Sequence, residues 1–159
     1  MITRDPYERL MLLKGTPTFS SVALADLRIV AQELEEDICY AGEYVFEEGD
    51  PSDRMFIIAA GKVGISIRGA RAAGEYVSLL GPGGCFGEMG LFDDQPRSAT
   101  AHALDETRLL ALDKQRLRGL MASYPGLALG LLRGLSLRLR QTNELMLRPA
   151  NESANDGRK

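Results

Sequence analysis

Between Tyr40 and Leu80 the chain breaks into short runs rich in β-branched and aromatic residues: Tyr44-Val45-Phe46, Met55 to Ile58, Gly61 to Ile67 and Tyr76 to Leu80. Each run is bounded by Gly, Asp or Pro. Regularly spaced short strands with glycine turns predict a sandwich or barrel. Gly42, Gly49 and Gly61 stand at the expected turns, where a residue tolerant of positive φ is needed.

Helical signals flank these runs. Asp5-Pro6-Tyr7-Glu8 reads as a helix start, with an acidic cap and proline in the first turn, and Leu10, Met11 and Leu13 are predicted to face inward. A second helix is predicted from Ser20 to Leu34, with Leu24, Leu27, Val30 and Leu34 on one face, ending in the acidic run Glu33 to Asp37. Later come an alternating strand at Ser98 to Ala103, a strand at Thr107 to Leu112, and a helix from Asp113 to Met121 capped by Asp113. The last helix starts at Ser123-Tyr124-Pro125 and runs to about Arg148. Helices around many short strands make an α+β domain.

The last helix carries two patterns. Ala128, Leu132, Leu135, Leu139, Thr142 and Met146 recur at alternating spacings of four and three, the seam of a coiled coil, or else a face packed on the barrel. Gly126, Gly130 and Gly134 lie four apart on another face, which suggests close backbone packing or a helix that must move. Arg133, Arg138, Arg140 and Arg148 read as a solvated face rather than a nucleic-acid patch.

With 159 residues the chain supports one domain, here 1–149, followed by a polar, disordered tail at 150–159. A net charge of -3 gives no general attraction to nucleic acid or acidic membrane. Met1 to Gly15 holds only the apolar run Leu10 to Leu13, neither a signal peptide nor a spanning helix, so the expectation is a cytoplasmic protein with no membrane partner. Cys39 and Cys85 match no metal or redox spacing and are expected as buried thiols. His102, the single histidine, is expected to face solvent or a neighbour, and it argues against a metal-dependent enzyme on a β-barrel. No metal is expected. Arg68 to Gly74 reads as a mobile polar loop.

The stretch from Gly83 to Ala101 concentrates what an anion site needs. A glycine-rich turn running into a short helix leaves backbone N–H groups pointing outward, where they can cradle a phosphate. Arg97 can close on that phosphate with its planar fork. Glu88 would repel an anion but is a good acceptor for sugar hydroxyls. Phosphate and ribose together point to a nucleotide.

Phe86-Gly87-Glu88-Met89-Gly90-Leu91, a short acidic turn, then Pro96-Arg97-Ser98-Ala99 resembles the phosphate-binding cassette of the cyclic nucleotide-binding domains. That module is shared by the catabolite activator protein and the regulatory subunits of cAMP-dependent protein kinase. The resemblance implies a jelly-roll-like β-barrel of eight strands, flanked by N-terminal helices and a long C-terminal helix. It implies that Arg97 pairs with the cyclic phosphate, assisted by Ser98 and by the backbone N–H groups of Gly87 and Met89, and that Glu88 accepts the ribose hydroxyl. Thr142 and, less directly, Asn143 would meet the base, and Val77 and Leu79 would form an apolar wall.

The expected ligand is cAMP, with cGMP left open because Ser98 suits either. The expected role is a non-enzymatic regulatory sensor that signals through its C-terminal helix, pairing as a homodimer or acting on an unknown effector protein. The transcription-factor branch adds a helix-turn-helix domain, for which the tail after Asn151 is too short, so no DNA binding is expected. The other reading is a protein-docking module of the same fold that no longer binds nucleotide.

Overall fold

Strand β3 (Arg54–Ala60) reveals the layering. Phe56 and Ile58 point to one side and Met55 and Ile57 to the other, and all four are buried. A strand covered on both faces reads as a continuous apolar run rather than an alternation. The computed structural model describes residues 5–68 and 75–147, so most of the predicted loop at Arg68 to Gly74 and the whole predicted tail lie outside the described residues.

Helices α1 (Pro6–Lys14) and α2 (Leu24–Gln32) come first, then β1 (Glu35–Cys39), β2 (Tyr44–Phe46), β3, β4 (Val63–Ser66), β5 (Ser78–Leu80) and β6 (Cys85–Phe86). A 3-10 turn at Met89–Leu91 leads to β7 (Thr100–Ala103), β8 (Thr107–Asp113), α3 (Lys114–Ser123) and α4 (Pro125–Met146). The strands form two antiparallel four-stranded sheets, in the orders β1-β8-β3-β6 and β2-β7-β4-β5. This is the predicted jelly-roll architecture, open rather than closed into a barrel. Strands of two and three residues at the edges (β6, β2 and β5) offer too few backbone groups to bond around the corners.

Two cores follow from this layering. Phe56, Ile58, Phe86 and Leu109 of the first sheet meet Val63, Ala101 and Ala103 of the second. On the outer face of the first sheet, Met55, Ile57, Leu110 and Leu112 meet Leu13, Phe19, Leu27, Leu117 and Leu127 of the helical layer.

The N-terminal signal holds: Asp5 accepts a hydrogen bond from the Tyr7 N–H and Pro6 opens α1. Leu10 and Leu13, three apart, share a buried face, but Met11 is exposed, since the next position in a helix is turned about 100° from Leu10 and away from Leu13. Helix α2 is shorter than predicted, and Leu24 is exposed. The acidic run does not extend it: Glu35, Glu36 and Asp37 form edge strand β1, where paired β8 supplies the hydrogen bonds and the carboxylates meet cations, Glu36 pairing with Arg9 at 3.2 Å and Asp37 with Arg54 at 3.6 Å.

The glycine-spaced face of α4 is where the helix docks. Leu127, Gly130, Leu131 and Gly134 are buried, and a Cβ on Gly130 would sit 3.0 Å from the Cα of Val22. Of the seam residues, Ala128 is half-buried and Leu132 is exposed. From Leu135 onward every described residue of the helix is exposed, including Leu139 at 63% and Met146 at 79%.

A candidate anion-binding cleft at Gly87 and Arg97

The segment after β6 turns sharply because Gly87 adopts φ 77°, a left-handed conformation that favours glycine. Space demands glycine too: a Cβ there would lie 2.6 Å from Nη1 of Arg97. Glu88 and Met89 then begin the 3-10 turn, whose leading N–H groups have no partner within so short a helix.

Arg97 arrives from the other side. Its backbone N–H donates to the Asp50 carbonyl (2.8 Å), and its own carbonyl accepts from the Gly49 N–H (2.9 Å). The side chain is buried, with 6% of the residue exposed. Nη2 donates to the Arg54 carbonyl (2.6 Å) and faces Asp53 Oδ1 at 3.5 Å, while Nη1 donates to the Gly87 carbonyl (3.3 Å). The guanidinium also stacks over the Phe46 ring. Its Nε has no partner. Burial pulls the Arg97 pKa below its ordinary value, Asp53 and Asp50 opposing, yet a guanidinium remains charged in any such setting.

These groups border a cleft of about 410 Å3, within the size range of small-molecule sites. Gly87, Glu88, Met89, Arg97 and Ser98 all line it, so the structure brings the predicted cassette residues together. A buried cation with an unpaired donor, beside a turn where a side chain would intrude, fits a phosphate. Glu88 supplies an acceptor at the same wall.

The other predicted residues are placed differently. Val77 and Leu79 are exposed and do not border the cleft; Ser78 and Leu80 do. The β4–β5 register pairs Leu79 with Gly64 and Leu80 with Val63, and because successive side chains alternate, the even positions face the cleft. Thr142 and Asn143 lie on the exposed part of α4, away from the cleft lining, and the Thr142 hydroxyl donates to the Arg138 carbonyl. Cys39 is buried as expected, but Cys85 is only partly so and borders the cleft. Burial, then Glu88, pushes the Cys85 thiol up to about 12, with Arg138 opposing. His102 meets neighbours: its ring nitrogens face Tyr76 Oη (2.9 Å) and the Gly42 carbonyl (3.2 Å).

With this geometry in view, the cyclic nucleotide-binding domain pattern matches residues 39–124. The chain belongs to that family. A CRP-like cAMP-activated global transcriptional regulator of Mycobacterium tuberculosis is 35% identical over 132 residues, covering 83% of this chain and 59% of the regulator. A cyclic AMP receptor protein of Thermus thermophilus is 33% identical, over 90% of this chain and 67% of the relative. Among solved structures, the N-terminal domain of a transcriptional regulator from Streptomyces coelicolor superposes with a TM-score of 0.77 at 33% identity, over 84% of this chain and 95% of that one. The chain thus spans about three fifths of the M. tuberculosis regulator.

Several contributors to this cyclic nucleotide-binding fold went unread in the sequence. Phe46, which carries the Arg97 guanidinium, was legible only as a strand residue. Asp53, just before β3, and the carbonyl of Arg54, the first residue of β3, reach Arg97 across 44 and 43 positions of sequence, and no local signal marks that approach. Among the described residues, no cluster of His, Cys, Asp and Glu is placed to hold a metal ion, and no single helix is long and apolar enough to cross a membrane.

Proposed function

We propose that this chain is a cyclic nucleotide sensor, binding cAMP in preference to cGMP, and that α4 carries its output. The observation behind this reading is the buried Arg97 with its unpaired Nε, set beside the Gly87 turn and Glu88 in one cleft. The cyclic phosphate takes Arg97, Ser98 and the N–H groups of Gly87 and Met89; the ribose hydroxyl donates to Glu88. Ser78 and Leu80 replace Val77 and Leu79 as the wall. The names of the M. tuberculosis and T. thermophilus relatives, both tied to cAMP, favour cAMP over cGMP.

Thr142 and Asn143 remain candidates for the base contact, which requires the exposed half of α4 to close over a cleft, its own or that of a second copy. Ligand then selects the closed arrangement in proportion to its differential affinity. The uncovered seam of Leu132, Leu135 and Leu139 favours pairing with a second copy over an unknown effector. We place the protein in the cytoplasm and assign it a regulatory role, without catalysis and without DNA contact by these residues.

Calorimetric titration with cAMP and with cGMP, on protein freed of carried-over nucleotide, tests the reading. Stoichiometric binding, tighter for cAMP, is expected. Binding of neither would leave a docking module of the same fold.

A further inference from the structure

Among the described residues two cations are buried, Arg97 and Lys114. The cleft accounts for the first. Lys114 is the first residue of α3, where the positive end of the helix dipole disfavours a cation, and burying its ammonium adds a desolvation cost. A lysine so placed needs partners that make the position worthwhile.

Those partners lie on the cassette. Nζ donates to the Asp93 carbonyl and to Asp94 Oδ1 (3.2 Å). Arg118, four residues on and so on the same helix face, donates to the same Asp94 oxygen (3.2 Å). The Lys114 backbone N–H donates to the Asp53 carbonyl (2.8 Å), and the Asp53 carboxylate faces Arg97. Asp93 also caps its own turn, accepting from the Gln95 N–H (3.1 Å). One side chain therefore holds the turn that leads into Arg97, while its backbone holds the residue whose carboxylate faces the guanidinium.

We propose that Lys114 is a positioning residue for the anion site: it latches the Asp93-Asp94 turn to α3 and thereby fixes the path of the segment that delivers Arg97. The inference rests on the cyclic nucleotide reading of the cleft, but the latch itself exists without ligand. An apolar residue would fill the same space at lower desolvation cost, so the ammonium is there for the two cassette oxygens.

The test compares Lys114→Met, Lys114→Arg and Asp94→Asn with the unaltered chain by hydrogen exchange over residues 91–97 and by titration with cAMP. Leu117→Ala serves as a control that weakens α3 packing without touching the turn. Lys114→Met is expected to speed exchange at the turn and weaken cAMP binding about tenfold, the worth of a charge-assisted hydrogen bond. Lys114→Arg, which reaches the same oxygens, should recover most of both. Asp94→Asn lies on an exposed residue, keeps the fold intact and should shift both readouts the same way by less.

Equal exchange in Lys114→Met and the unaltered chain overturns the latch, as does Leu117→Ala reproducing both effects. If Lys114→Met does not fold, Asp94→Asn decides by the same two readouts. If the unaltered chain binds no cyclic nucleotide, the functional reading fails, and the exchange comparison alone decides the latch.

Discussion

The guanidinium carbon of Arg97 lies 4.0 Å from the centroid of the Phe46 ring, so the cation that faces the cleft rests on an aromatic floor supplied by β2. The ring supports one face of the guanidinium while backbone carbonyls of Gly87 and Arg54 take its edge. Rotamer freedom is thereby removed before any ligand arrives, which lowers the ordering cost of binding.

Arg97→Ala is expected to cost about 2–5 kcal/mol of cAMP binding, the range for removing one partner of a desolvated charge pair. Phe46→Leu keeps the charge and removes the floor, and should cost about 1 kcal/mol. Calorimetric titration of the two variants measures the difference, and an Arg97→Ala affinity equal to that of the unaltered chain would refute the phosphate assignment.

Gly87→Ala combines a backbone penalty with a collision. The left-handed conformation alone costs roughly 1–2 kcal/mol for an L-residue, and the new Cβ displaces Nη1 of Arg97. Urea unfolding should report the first effect and cAMP titration the second, with binding lost more than stability.

The β4–β5 register gives a paired test. Leu80→Ala should weaken cAMP binding about tenfold, as for a pocket contact shortened by more than one methylene, whereas Leu79→Ala on the opposite face should leave affinity unchanged. The reverse result would mean that β5 is paired one residue out of step.

Cys85 should resist alkylation at neutral pH, because its thiol is held up to about 12 and stays protonated. The same shift links stability to alkaline pH. In the unfolded chain the thiol ionises near its ordinary value, so the stabilisation is complete below about pH 8.5, and it is lost as pH rises from there through the folded-state value. Denaturation midpoints of the protein and of Cys85→Ser between neutral and alkaline pH measure it: the drop should be smaller in the variant.

Leu135→Glu is expected to dissociate a homodimer while leaving the fold intact, since Leu135 is exposed and beyond the docked part of α4. Sedimentation velocity reads the outcome. An unaltered chain that sediments as a monomer at high concentration would refute pairing through the seam.

Local chemistry determined much of this protein from sequence alone. Asp5-Pro6 and Asp113 cap helices through their own side chains and the next few N–H groups, and Gly42, Gly49 and Gly61 take the positive φ that their turns require. The glycine, glutamate and arginine of the cassette were visible because the turn and its anion chemistry are written within a dozen residues. Contacts between distant segments decided the rest. Pairing with β8 made a strand of Glu35–Cys39, and pairing with β4 turned Ser78 and Leu80 toward the cleft in place of Val77 and Leu79. Close approach to Val22 and Thr18 chose the glycine face of α4 for docking and left its leucine seam in solvent. Arg97 was legible as a cation, but its floor of Phe46 and its neighbour Asp53 come from elsewhere in the chain, and only packing brings them to it.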